Sequence, residues 1–144
     1  MVAAPHLRVL LSDDHPIVRR GVRNILESIP EYEICGEASD GDQTVKLALR
    51  LHPDVVITDI SMQPINGLEV TQHLRESLPN AKILILTMHD SVEMLRAAAA
   101  AGASGYLLKS DAEELLVAAL HSLGEGRRFV SPSFDAKLVK QLFS

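Results

Sequence analysis

Three aspartates, a threonine and a lysine stand where they could do phosphoryl and metal chemistry together. Asp13 and Asp14 follow a short apolar run, Asp59 follows Val-Val-Ile-Thr58, Thr87 closes Ile-Leu-Ile-Leu-Thr, and Lys109 comes just after Gly-Tyr-Leu-Leu108. Carboxylates gathered in one place repel and raise one another's pKa unless a cation compensates. Magnesium is the natural compensation, because it prefers octahedral oxygen ligands, keeps several waters and bridges to phosphoryl groups. Lys109 adds a point charge for phosphate, and Thr87 a hydroxyl able to hydrogen-bond it. Taken singly, each residue has a plainer reading: Asp13-Asp14 as a solvated loop and cap, Asp59 as a turn residue, Lys109 as a surface lysine, Thr87 as a common strand residue. Only their convergence makes a site.

The elements that would bring them together are legible from hydrophobic periodicity. Short β-branched runs alternate with stretches of helical spacing, and this happens five times, the signature of successive βα units. Strands are expected at Leu7–Ser12, Tyr32–Ala38, Asp54–Thr58, Lys82–Thr87 and Ser104–Leu108. The third and fourth are apolar without alternation, as strands covered on both faces are. The first helix should run over about 16–29, opened by Pro16, with Ile17, Val18, Gly21, Val22, Ile25, Leu26 and Ile29 on one stripe. A second is expected over about 41–52, ending where Pro53 disfavours helical geometry in His52. Asn66 with Glu69, Asp90 with Glu93, and Ser110 with Glu113 each pair a capping side chain with a glutamate three residues on, marking three more helix starts. The expected fold class is therefore α/β, a doubly wound five-stranded parallel sheet with right-handed crossovers. Ligands of such sheets bind beyond the carboxyl ends of the strands, which is where all five chemical residues fall.

Composition excludes several classes. With 19 acidic against 14 basic residues, a net charge of −5, the chain offers no basic stripe for a nucleic-acid backbone. Cys35 is the only cysteine, so no intramolecular disulfide can form, and without a Cys/His cluster a structural zinc site is unsupported. Residues 1–6 lack a signal peptide's basic and apolar regions, and no apolar stretch reaches the ~20 residues of a membrane span. A cytoplasmic protein without a membrane partner is expected. Cys35 reads as a small core residue, and Ala97–Ala101 as a small-residue packing face.

Ser12-Asp-Asp-His-Pro16, Asp59-Ile-Ser-Met62, Thr87 and Tyr106-Leu-Leu-Lys109 together resemble the receiver domain of two-component response regulators, over residues 7 to about 126. Asp-Asp-His-Pro, with Phe129-Val-Ser-Pro132, is similar to the NarL/FixJ-type subfamily, in which a receiver precedes a LuxR-type helix-turn-helix domain. The resemblance implies a flavodoxin-like fold and a phosphorylation switch. Asp59 would accept a phosphoryl group from a sensor histidine kinase. Asp14, Asp59 and the Ser61 backbone carbonyl would bind Mg2+ directly, and Asp13 largely through water. Lys109 and Thr87 would hold the phosphoryl oxygens, Thr87 and Tyr106 would move with the switch, and Ser61 and His89 would tune phosphoryl lifetime. His15 and His89 themselves read as loop or cap residues rather than metal ligands. The sequence departs from the common pattern where Gln63 separates Met62 from Pro64, where Met88 replaces a small residue and is expected to narrow access to Asp59, and where Ser110 replaces a proline.

An aspartyl-phosphate hydrolase of the haloacid-dehalogenase type uses similar groups but needs a second aspartate two positions after the nucleophile, where Ser61 stands. A nucleotide-binding module lacks both glycine-rich fingerprints, and an inert pseudo-receiver would not keep all five residues. The chain thus divides into a receiver over 7–126 and a linker over 127–144 whose Phe134, Leu138, Leu142 and Phe143 form an amphipathic helix expected to pack on the receiver or a partner subunit. The expected protein is a switch rather than an enzyme, the regulatory part of a transcription factor or a stand-alone module. Its partners would be a kinase and, on phosphorylation, a second copy, with DNA reached only through an output domain missing from this chain.

Overall fold

The computed structural model describes residues 6–143. Six strands and six helices follow one another as β1 (Leu7–Ser12), α1 (Pro16–Leu26), β2 (Tyr32–Ala38), α2 (Gly41–Leu51), β3 (Val55–Thr58), α3 (Gly67–Ser77), β4 (Lys82–Thr87), α4 (Val92–Ala101), β5 (Gly105–Leu108), a single 3-10 turn (Lys109–Asp111), α5 (Ala112–Gly124), β6 (Phe129–Val130) and α6 (Ala136–Phe143). All strand pairs are parallel, in the order β2-β1-β3-β4-β5-β6, the flavodoxin-like arrangement with one strand added.

Period-2 alternation sorts the side chains into two cores. Val9, Leu11, Val55, Ile57, Leu84, Leu86 and Leu107 face α1 and α5, where Val22, Leu26, Leu116, Leu120 and Leu123 meet them. Leu10, Val56, Ile83, Ile85 and Tyr106 face the other way, onto Ala48 of α2, Val70 and Leu74 of α3, and Leu95 and Ala98 of α4. Both faces are covered, which is why the strands read as continuous apolar runs.

The structure corrects several boundaries. The sheet has a sixth strand, Phe129–Val130, paired with Gly105 and Tyr106; two residues carry no periodicity to read. Helix α1 stops at Leu26 rather than Ile29, consistent with Pro30, which disfavours helical backbone in its predecessor. Ile17, expected on the buried stripe, is 81% exposed. Helix α4 is capped by Ser91, whose side chain accepts from the Met94 N–H, and not by Asp90. Helix α5 starts from Asp111 without any side-chain cap, because Ser110 lies inside the preceding 3-10 turn. The Asn66–Glu69 capping box forms as read. Asp40, unremarked in the sequence, caps α2 by accepting from Gln43.

The segment after α5 folds back on the molecule. Phe134 and Phe143 are buried in the α2–α4 core, with Leu138, Val139 and Leu142 packed against it, so α6 lies on α4. No helix among the described residues is long and apolar enough to cross a membrane.

Candidate functional site

Adjacent strands β1 and β3 run in register with Ser12 opposite Thr58. The next residue of each strand therefore leaves the sheet beside the other, and these are Asp13 and Asp59. Backbone bonds extend the pairing outward: the Asp59 N–H donates to the Ser12 carbonyl at 3.1 Å and the Asp13 N–H to the Ala38 carbonyl at 3.1 Å. Both carboxylates are buried, Asp13 at 1% and Asp59 at 3% exposure. Helix α3 approaches this corner closely because its first residue is glycine. A Cβ at Gly67 would stand 2.0 Å from the Asp59 carbonyl oxygen, while the Gly67 N–H donates to the Ile60 carbonyl at 2.9 Å.

Lys109 enters from the end of β5. Its Nζ lies 3.2 Å from Asp59 Oδ2, as a hydrogen bond, and 3.0 Å from Asp13 Oδ2, as an ion pair. Burial opposes the lysine's charge, but Asp13 and Asp59 outweigh it, and its pKa lies above the ordinary lysine value. The second oxygen of Asp59 accepts from the Ile60 N–H at 2.8 Å.

Ligand atoms of Asp13, Asp14, His15 and Asp59 all fall within 4.8 Å of one another. One ammonium against three carboxylates leaves a surplus of negative charge. Asp13 Oδ2 is buried and, apart from the Lys109 ion pair, accepts no hydrogen bond. An oxygen-rich cluster with a free buried lone pair could hold a hard cation. His15, expected as a loop or cap residue, is the N-cap of α1, without a side-chain capping bond, and its ring also adjoins this cluster: Nδ1 lies 3.1 Å from Asp13 Oδ1 and 2.9 Å from Asp14 Oδ1.

A second group adjoins the first. Thr87, fully buried at the end of β4, accepts from the His89 N–H at 3.2 Å. The Tyr106 hydroxyl donates to the His89 carbonyl at 2.6 Å, and His89 Nε2 pairs with Ser61 Oγ at 3.1 Å. His89 thus ties together the threonine, the tyrosine and the serine. Burial, with the charges of Asp90 and Asp59, pushes the Tyr106 phenol up to about 12. Asp14, Ser61, Met62, Gln63, Asn66 and His89 line the cleft above the acidic cluster. Met88, expected to narrow that access, is 80% exposed and outside the cleft's lining.

Comparison with known proteins matches this sequence and this fold to one family. The model of the response regulator receiver domain matches residues 9–121. The transcriptional regulatory protein DegU of Brevibacillus brevis is 34% identical over 135 residues, 94% of this chain and 57% of DegU. The nitrate/nitrite response regulator protein NarL of Escherichia coli is 37% identical over 134 residues, 93% of this chain and 62% of NarL. The chain thus spans less than two thirds of the length of these relatives. A two-component response regulator of the LuxR family from Aurantimonas superposes with a TM-score of 0.87 at 37% identity, covering 96% of this chain and 99% of that one. With buried aspartates at two neighbouring strand ends, a lysine bridging them and this match over most of its length, the chain belongs to the response regulator receiver domain family.

Proposed function

We propose that Asp59 is the phosphoacceptor of a signalling switch, charged by a sensor histidine kinase in a two-component system. One observation carries the reading: Asp59 is a buried carboxylate held at one oxygen by the Ile60 N–H and at the other by Lys109, beside two further aspartates. An Asp59 oxygen attacks the phosphorus of the donor's phosphohistidine, an O–P bond forms, and the P–N electron pair returns to the imidazole. The acyl phosphate so made is labile, which keeps the signal reversible. Lys109 and Thr87 receive the phosphoryl oxygens, and Thr87 and Tyr106 change position together through His89. Ser61 and His89, paired over the cleft, govern how easily water reaches the phosphoryl group. The resulting change is a population shift between two packings.

Asp13, Asp14, Asp59 and the Ser61 carbonyl are the residues that would hold Mg2+, and Asp13 Oδ2, buried and paired with Lys109 alone, favours that assignment. When bound, the ion supplies neutralisation of charge on the transferring phosphoryl oxygens.

The switch performs its own phosphorylation and dephosphorylation and turns over no other substrate. We assign residues 7–126 to the receiver and 127–144 to a linker, in a cytoplasmic regulator that reaches DNA through a separate output domain. The relatives' names as transcriptional regulators support this, as does the acidic charge of this chain, since affinity for DNA rests on phosphate neutralisation by Lys and Arg. Phosphorylation would pair two copies, and tethering two DNA modules can raise avidity ~10²–10⁴-fold.

The test is incubation with acetyl phosphate and magnesium, read by intact mass and peptide mapping. One adduct on the Asp59 peptide is expected, absent without the metal and absent in Asp59→Asn. An adduct that persists at full yield in that variant refutes the assignment.

A further inference from the structure

We infer that Arg19 is a positioning residue for the cation cluster, aiming the two aspartates through the Asp13 main chain. The inference rests on the metal reading proposed above. Arg19 lies on α1 and touches no ligand atom of the cluster. Its Nη1 donates to the Asp13 carbonyl oxygen at 2.5 Å. Its Nε faces Glu37 Oε1 at 3.4 Å, and the other Glu37 oxygen meets Arg23 at 3.1 Å. Arg19 and Glu37 are both mostly covered, at 20% and 27% side-chain exposure.

The Asp13 backbone is therefore held on both sides of its Cα. Its N–H is fixed to Ala38 at the end of β2, and its carbonyl is fixed by a guanidinium that is itself anchored to Glu37 on the same strand. Between the two clamps only the side chain can point into the cluster. The next residue, Asp14, inherits the direction of the clamped carbonyl. Glu37 sets Arg19, Arg19 sets the Asp13 peptide, and the peptide sets both carboxylates, the kind of outer-shell support whose loss typically lowers metal affinity ~10–100-fold. A planar fork suits the task, because it presents separate N–H groups to Glu37 and to the carbonyl, whereas a lysine ammonium offers one point.

Charge and position predict opposite signs here, which makes the inference testable. Arg19 is a cation close to a cation site. By Coulomb's law alone, deleting its charge tightens magnesium binding, and Arg19→Lys leaves it unchanged. As a positioning residue, its loss weakens binding in both variants.

The experiment is calorimetric titration of magnesium into wild type, Arg19→Lys, Arg19→Met, Glu37→Ala and the double variant Arg19→Lys/Glu37→Ala, with urea unfolding of each to show an intact fold. We expect the dissociation constant to rise ~10-fold in Arg19→Lys and in Arg19→Met. In the double variant Arg19→Lys/Glu37→Ala it should rise little further, because Glu37 acts through Arg19. Unchanged affinity in Arg19→Lys, or tighter binding in Arg19→Met, overturns the inference. A metal-free readout separates this outcome from a failure of the metal reading. The His15 N–H donates to Asp13 Oδ1 at 2.8 Å, so its amide resonance and hydrogen exchange report the aim of that carboxylate. In Arg19→Lys without metal the His15 amide should shift and exchange faster; an unmoved resonance overturns the positioning role. Wild type that takes up no magnesium at millimolar concentration overturns the metal reading, whatever the amide shows.

Discussion

Tyr106 and Phe134 meet edge to face, ring centroids 5.6 Å apart and planes at 86°. The contact joins the hydroxyl that reaches the β4–α4 loop to the segment that follows α5. Ser131 reinforces it, its N–H donating to the Tyr106 carbonyl and its Oγ accepting from the Leu108 N–H. Phe134→Ala removes a buried ring and an aromatic pair, at a cost of about 3 kcal/mol. Much of that loss should be local. Amide exchange in α6 is expected to accelerate towards the unprotected rate while the amides of Leu10 and Ile57 keep their protection. Unaltered α6 protection would show that the helix is held by something other than this ring.

Tyr106 also sets a pH limit. Its pKa is pushed up to about 12 by burial and by the charges of Asp90 and Asp59. The folded state thus binds the phenolic proton more tightly than the unfolded chain, whose tyrosine titrates near 10. The corresponding stability is complete below about pH 10 and is lost as pH rises toward 12, amounting to roughly 3 kcal/mol. The unfolding free energy of wild type should fall relative to that of Tyr106→Phe across that window, because the phenylalanine variant has no proton to lose. Absorbance titration locates the phenol directly, since the only other tyrosine is Tyr32. A Tyr106 transition near 10 would contradict this.

Much of this arrangement was legible in the sequence, for identifiable reasons. The strands were placed almost to the residue because β1 and β3–β5 are buried on both faces and so are uniformly apolar. The convergence of Asp13, Asp59 and Lys109 was legible too, because strand ends meet at one edge wherever a parallel sheet is doubly wound. What escaped were features set by tertiary contact. Phe129–Val130 is a strand only because Gly105 and Tyr106 offer it an edge. Ser91 displaced Asp90 as a cap because the helix begins one residue later than the Asp–Glu spacing implied. Arg19 is one of several charges on an amphipathic helix, and nothing in its spacing marks it as the residue that reaches the Asp13 carbonyl.

Lys109→Met should separate metal from phosphate. In the metal-free protein Lys109 is the cation facing Asp13 and Asp59, so its loss leaves two buried carboxylates uncompensated, and breaking a buried pair costs about 3–5 kcal/mol, less here because the lysine keeps some exposure. Magnesium restores the compensation. Thermal unfolding is therefore expected to fall sharply without the ion and to recover in its presence, by more than wild type gains. Phosphorylation by acetyl phosphate should remain impaired in both conditions. Equal magnesium-induced gains in variant and wild type would refute the charge argument.

Two glycine-to-alanine substitutions should have opposite signs. Gly21 lies in the middle of α1 with nothing within 4 Å of where a Cβ would stand. Alanine there gains helix propensity, about 0.5–1 kcal/mol, and leaves the aspartates alone. Gly67 opens α3, and a Cβ would stand 2.0 Å from the Asp59 carbonyl oxygen and 3.0 Å from Ile60 Cα, contacts no rotamer can relieve because both partners are backbone. Either α3 withdraws, losing the Gly67 bond to the Ile60 carbonyl, or the Asp59 peptide shifts and carries its carboxylate away from Lys109. Overpacking of this kind costs about 1–3 kcal/mol, and the displacement should slow phosphorylation of Asp59 beyond what the stability loss explains. Both variants are measured by urea unfolding and by the initial rate of adduct formation with acetyl phosphate, at a temperature where each is folded. Gly21→Ala serves as the control for the extra methyl. If Gly67→Ala is phosphorylated at the wild-type rate, the close approach of α3 does not position Asp59.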